Sequence, residues 1–324
     1  MKFKGARETG LIVALIVLIV ACTMKNPKFI DPRNINSILL WMPLLLVAAI
    51  GQFPVIVARG IDISIGSILG LSAISVGLLV KSHPNLPIPV LFVVGALVGL
   101  VLGVVNGLLI AFGKIPAVVA TIGTLTAFRG LTFMVSGGDQ IDSSAIPDGL
   151  TSLANKGINL GGITLSWLLM IGVLLAIAIY FASKYFQFYR NIFAYGSNPD
   201  AAYLRGISPK MVQMICYSAS GALAGLAGTM YLARFGFANP GSAGQSFELI
   251  VIAAVAIGGV KITGGSGSIL GVFLGCALLS CINVALVSLG IDADWQMLVY
   301  GATIMIALMI DAVSQRRRVS HEAA

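Results

Sequence analysis

Apolar residues in this chain come in long blocks, separated by short polar stretches carrying glycine, proline and charge. A helix needs roughly 20 consecutive apolar residues to cross a bilayer, whereas a helix in a water-soluble core shows one apolar face only. Ten blocks read as crossings: 10–24, 38–58, 63–80, 88–112, 115–135, 163–182, 211–232, 249–260, 266–289 and 295–310. The first and the eighth are short for a full crossing. The pattern predicts an all-α polytopic membrane bundle of about ten transmembrane helices, forming one domain over 1–324.

Small residues inside the blocks predict how these helices pack. Lipid tails are as apolar as leucine, so helices in a bilayer associate through close backbone approach at small residues. Gly95, Gly99, Gly103 and Gly107 repeat at four-residue steps in the fourth block. Gly221 and Gly225 do so in the seventh, and Gly267, Gly271 and Gly275 in the ninth. The pentapeptide Gly-Ser-Ile-Leu-Gly occurs at 66–70 and again at 267–271, but glycine is too abundant here for that repeat to carry weight.

Composition removes the soluble alternatives. The chain is 58% hydrophobic and 10% charged, where a soluble domain carries charge on roughly a quarter of its positions. A net charge of +8 raises nucleic acid as a partner, yet no basic stripe interleaved with aromatics exists. Cys22, Cys216, Cys276 and Cys281 lie in or beside apolar blocks without zinc-type spacing, and read as small buried hydrophobes rather than metal ligands.

The charges instead give an orientation. An even number of crossings places both termini on one side, where Lys2, Lys4, Arg7, Arg316, Arg317 and Arg318 are found. Alternating from there, that side collects 13 basic residues against six on the other, with Arg129 inside a span. By the positive-inside rule both termini are expected in the cytoplasm. Trp41, Trp167 and Trp295 then stand as anchors where inward-running spans begin. The segment Ile19-Val20-Ala21-Cys22 also resembles a lipoprotein cleavage site, which would remove the first span; a retained anchor is the expectation.

The cytoplasmic segment after the sixth block carries start and stop signals for a two-turn helix. Asn198 can cap it and Pro199 suits the first position; Asp200 and Arg205 complement the dipole, and Gly206 supplies a left-handed stop. Between them Ala201, Ala202, Tyr203 and Leu204 offer a small apolar surface suited to a partner's groove.

This segment resembles the short coupling helix that permeases of ABC importers insert into their ATPase subunits. Three further stretches are similar to the permeases of ribose, rhamnose and autoinducer-2 importers. They are Arg59-Gly60-Ile61-Asp62-Ile63-Ser64-Ile65-Gly66-Ser67, the run 113–125 beginning Gly113-Lys114-Ile115-Pro116-Ala117, and the run 258–268 beginning Gly258-Gly259-Val260-Lys261. The likeness covers nearly the whole chain, in order. Many relatives have glycine where Arg59 stands, and the arginine form looks more like the autoinducer-2 and rhamnose branch. The resemblance implies a permease subunit of a binding-protein-dependent importer for a monosaccharide or sugar-like solute, in the bacterial inner membrane. Its implied partners are cytoplasmic ATPase subunits holding ATP and Mg, an extracytoplasmic solute-binding protein, and a second permease, identical or paralogous. In that setting the outer loop 137–162, with Asp139, Asp142, Asp148 and Lys156, would help dock the binding protein.

The residues support parts of this independently. No Gly-Lys-Ser/Thr tripeptide occurs, so the chain lacks the phosphate-cradling loop of an ATPase, and no enzymatic chemistry or cofactor is expected in it. Gly264-Gly265-Ser266-Gly267 matches a serine-protease element, but His83 and His321 lie outside the spans and cannot serve it as base. Charged groups beside a helix break near a bilayer are costly and usually functional, which singles out Arg59 and Asp62, read as a pair clamping the kink between spans two and three. Ser64, Asn106, Thr121, Thr124 and Glu248 are the other candidate pathway or gating groups; for each, interhelical hydrogen bonding is the competing reading. Span eight, short and ending in glycines, resembles the discontinuous helices that flank transport sites. A stand-alone ion-coupled transporter remains the alternative, and it would use Asp62 or Glu248 as its charge carrier.

Overall fold

The computed structural model describes residues 4–291 together with residues 295, 298, 301, 302 and 305. Twelve helices occur in that range: α1 Lys4–Lys25, α2 Pro32–Val57, α3 Ile65–Ser82, α4 Ile88–Ala111, α5 Ala117–Ser136, α6 Asp148–Asn155, α7 Trp167–Tyr185, α8 Gln187–Ser197, α9 Pro199–Leu204, α10 Pro209–Phe235, α11 Phe247–Ile257 and α12 Ile269–Ser288. Among the described residues eight are long and apolar enough to cross a membrane (α1–α5, α7, α10 and α12), and α11 is a shorter apolar helix. The expected tenth span, 295–310, and the basic tail lie largely outside the described residues.

At the centre is α2. Every residue from Met42 to Val57 is buried, as expected of a helix that is apolar all round and enclosed by others. Helices α7, α10, α11 and α12 surround it. Its start lies earlier than the hydrophobic block suggested: Pro32 occupies the first helical position, where a missing N–H costs nothing. Trp41 is therefore inside the helix, not at its mouth, and its ring carries the Arg234 guanidinium at 4.5 Å.

The most extensive contact joins α4 to α10, and glycine is the reason. A Cβ on Gly95 would overlap the Thr229 hydroxyl, one on Gly99 the Gly221 carbonyl, and one on Gly103 the Tyr217 carbonyl; at Gly107 it would press on Met214. Gly221 and Gly225 are stripped in return, facing the backbone of Gly99, Gly103 and Gly95. A second seam joins α11 to α12, where Gly271 and Gly275 face the carbonyls of Gly258 and Ala254. Gly267 is a correction, for it precedes α12 and packs on Val260 and Phe53 instead. The opposite face of α4 exposes Val93, Leu97, Val101, Val105, Leu108 and Phe112, a surface for lipid or another apolar helix rather than water.

One expectation is corrected outside the bundle. Residues 163–166 do not open the sixth span; they are a strand, β2 (Ile163–Ser166), antiparallel to β1 (Gly157–Leu160). Gly161 and Gly162, both with positive φ, make the two-residue turn between them, the conformation such hairpins require. The helix α7 begins only at Trp167, capped by the Ser166 hydroxyl, which accepts from the Leu169 amide at 3.2 Å. The outer segment 137–162 carries secondary structure of its own. It contains α6 and the first strand and turn of the hairpin, and Ile141 exchanges backbone hydrogen bonds of 2.8 and 3.1 Å with Ala238.

Candidate functional site

Two structures built from the singled-out residues meet at the C-terminal end of α2. The first is α9. The Asn198 side chain accepts from the Ala201 amide at 3.0 Å, Pro199 opens the helix, Asp200 lies in its first turn, and Gly206 follows at φ +81°. Arg205 closes the helix as its C-cap. The surface it presents is narrower than the sequence suggests. Ala202 is only 3% exposed and faces inward, whereas Tyr203 and Leu204 are 67% and 85% exposed. Two turns of helix cannot present four successive side chains on one side, so one of them must serve as the seat.

The second is a buried polar network around Asp62. After α2 ends, the Arg59 backbone takes the left-handed conformation (φ +65°) and the Gly60 amide returns to the Val55 carbonyl at 2.9 Å, closing the helix. The chain then runs back among the helices, and Asp62 is fully buried. One carboxylate oxygen accepts from the Ser64 amide at 3.0 Å and the Ser64 hydroxyl at 2.7 Å. The other accepts from the Ser220 hydroxyl of α10 at 3.0 Å. Asn106 of α4 donates to the Ser64 hydroxyl at 2.7 Å, and Thr124 of α5 donates to the Asn106 carbonyl oxygen at 2.7 Å. Thr121 reaches the Ile61 carbonyl at 3.3 Å and Gln52 the Asp62 carbonyl at 3.4 Å. A buried carboxylate is tolerable only when donors replace its water, and three do so here.

Arg59 and Asp62 do not form the expected clamp. The left-handed turn at Arg59 throws its side chain outward to α8, where Nε donates to the Gly196 carbonyl at 2.6 Å and Nη2 to the Ser197 carbonyl at 2.8 Å. Three residues apart in non-helical backbone, the two side chains share no face. Beside this link the Gly265 amide donates to the Val57 carbonyl at 2.9 Å, and the Ser197 hydroxyl reaches the Gly265 carbonyl at 3.3 Å. Tyr195 of α8, whose hydroxyl accepts from Gln213 at 3.3 Å, is held above the usual phenol range by burial and so stays a neutral hydroxyl.

Glu248 stands apart from the network. It lies buried in the first turn of α11, and one of its oxygens has no hydrogen-bond partner. A Cβ on Gly66 would overlap that oxygen. Its electrostatic neighbour is Arg129 of α5, which donates to the Ala243 carbonyl at 2.6 Å. The structure thus unites Asp62, Ser64, Asn106, Thr121 and Thr124, and separates Arg59 and Glu248 from them. Sequence reasoning missed Ser220 and Gln52. The only available sign for Ser220 was a hydroxyl next to Gly221, at a helix contact where backbones touch.

Comparison with known proteins places this geometry. Residues 34–308 match the family model described as branched-chain amino acid transport system / permease component. The autoinducer 2 import system permease protein LsrC of Photorhabdus luminescens is 34% identical over 95% of this chain and 90% of its own length. The proteins of that name from Salmonella paratyphi B and Escherichia coli K12 are each 32% identical over 96% of this chain, covering 88% and 89% of the relative. No solved structure matches. With apolar helices throughout and these relatives, the chain is a multi-pass protein of the bacterial inner membrane. It belongs to the branched-chain amino acid transport system / permease component family, the importer permeases that its motifs resemble.

Proposed function

We propose that this chain is the membrane conduit of an importer for a sugar-like solute of the autoinducer-2 class, worked by a separate ATP-hydrolysing subunit. The observation that carries the reading is α9: a capped helix too short to persist by itself, seated by Ala202 and presenting Tyr203 and Leu204 outward. In this reading both termini and α9 face the cytoplasm. A binding protein delivers solute from outside, near the segment 137–162. Closure of two ATPase subunits, with their ATP and Mg, presses on α9 of each of two permeases, and the bundle alternates between outward and inward openings.

The test is co-expression with the cognate ATPase. Leu204→Arg should leave the permease folded, because Leu204 is mostly exposed, while abolishing co-purification of the ATPase and ATP-dependent uptake. Wild-type association in that variant would refute the docking role of α9. The competing reading, a stand-alone ion-coupled transporter, draws on Asp62, a buried carboxylate with no cation paired to it among the described residues. Uptake by purified protein in vesicles with an ion gradient and no ATPase would favour it.

A further inference from the structure

Five helix ends surround one cavity of about 390 Å³. The C-termini of α2, α4 and α8 and the N-termini of α5 and α10 meet there. A helix end carries roughly half a unit charge, negative at the C-terminus and positive at the N-terminus. Ends of both signs largely offset one another, so the side chains decide the potential. Arg59, Lys114 and Lys210 line the cavity, and among the described residues no carboxylate does.

Two of these cations are held there against backbone preference. Arg59 and Lys114 have φ of +65° and +56°, and only Ser246 shares that conformation among described non-glycine residues. Each follows the end of an apolar helix, where glycine is the usual occupant of a left-handed position. Gly60 and Gly113 stand next to them. A strained cation is therefore retained at two separate helix ends that open on the same space, and strain of this kind concentrates at functional sites. The Arg59 guanidinium uses Nε and Nη2 on carbonyls, which leaves Nη1. Lys210 extends over the Phe112 ring at 5.2 Å.

Neutral donors face the same space. Tyr195 and Gln213 line it, and the Tyr195 hydroxyl accepts from the Gln213 amide at 3.3 Å. The first-turn amides of α5 have no side-chain cap. Three cations, neutral polar side chains and uncapped first-turn amides around one space are the donor set of an oxyanion site. We propose that this cavity binds a phosphate-class anion, carried by a lipid headgroup or by a soluble phosphorylated molecule. The volume leaves room for a glycerol- or sugar-sized group beyond the phosphate. The proposal is independent of the ATPase-driven reading, because it rests on binding alone.

The experiment uses the full chain with two probes. Inorganic phosphate is titrated calorimetrically into detergent-solubilised protein at low ionic strength. In parallel, lipid retained from phosphatidylglycerol and phosphatidylcholine nanodiscs is counted by native mass spectrometry. Binding of phosphate assigns the soluble source, and retention of phosphatidylglycerol alone assigns the headgroup. Lys114→Gln with Lys210→Gln should weaken whichever probe binds by about tenfold or more. Lys28→Gln with Lys81→Gln, which removes the same charge elsewhere, should leave it unchanged. Lys114→Gly provides a check free of misfolding, since relieving the left-handed lysine should raise thermal stability while weakening binding. Failure of the wild type to hold either probe overturns the proposal. So does equal weakening by the Lys28/Lys81 control, or a Lys114→Gly protein that is stabilised yet binds as before.

Discussion

The Arg59 guanidinium grips the carbonyl of Ser197 at 2.8 Å, so the end of the central helix α2 holds the residue next to the Asn198 cap of α9. From Arg59 the chain reaches Asp62 in three residues, and through it α3, α10, α4 and α5. The exposed helix and the buried network are thus joined by one short covalent segment, with a hydrogen-bonded joint at its outer end.

If that joint transmits motion, Arg59→Ala should lower solute uptake per ATP hydrolysed by about tenfold while the ATPase still co-purifies, since hydrogen bonds from a charged group contribute about 1.5–3 kcal/mol. Arg59→Lys, with a point charge in place of a fork, should recover only part of it. Reconstituted vesicles measuring hydrolysis and uptake together decide the matter. Unchanged coupling in Arg59→Ala would show that the joint is structural only.

The α4–α10 seam is the part of the fold with least tolerance. Gly99→Ala places a methyl on the Gly221 carbonyl and should destabilise the bundle by about 1–3 kcal/mol. Gly123→Ala on α5 meets nothing within 4 Å and should be neutral or stabilising by up to about 1 kcal/mol. Thermal unfolding in detergent compares the two, and a similar response would mean that α4 and α10 do not touch as described.

Asp62→Ala leaves the Ser64 amide and two hydroxyls without their acceptor in a dry setting. Stranded buried donors cost about 1–3 kcal/mol each, although hydroxyls can turn to other partners, so a loss of about 2–4 kcal/mol is expected. Ser220→Ala removes one donor and keeps two, and should cost about 1–2 kcal/mol. Melting temperatures that rank the two the other way would contradict the network.

At α9 the cap and the seat should fail differently from the exposed tip. Asn198→Ala should cost about 1 kcal/mol and Asn198→Ser should restore most of it, because serine caps nearly as well. Ala202→Arg forces a charge into a buried seat and should disorder the segment, detectable as faster proteolysis at 197–206. Protection equal to the wild type in Ala202→Arg would place that side chain at the surface after all.

The sequence by itself determined what depends on neighbours along the chain. Block length and uniform apolarity define the spans, whatever packs beside them. Asn198, Pro199 and Gly206 define α9, because caps and left-handed stops satisfy backbone groups within one turn. The glycine steps in α4 and α10 announced close packing, yet not with whom. Glycine is too common here for its spacing to name a partner. Tertiary structure decided that α4 meets α10, that Ser220 answers Asp62 from 158 residues away, and that Arg59 turns to α8. It also set which of two adjacent alanines is buried. A hydrogen bond between helices depends on their relative rotation and depth in the bundle, which the packing of all the helices fixes together and no local run of residues encodes.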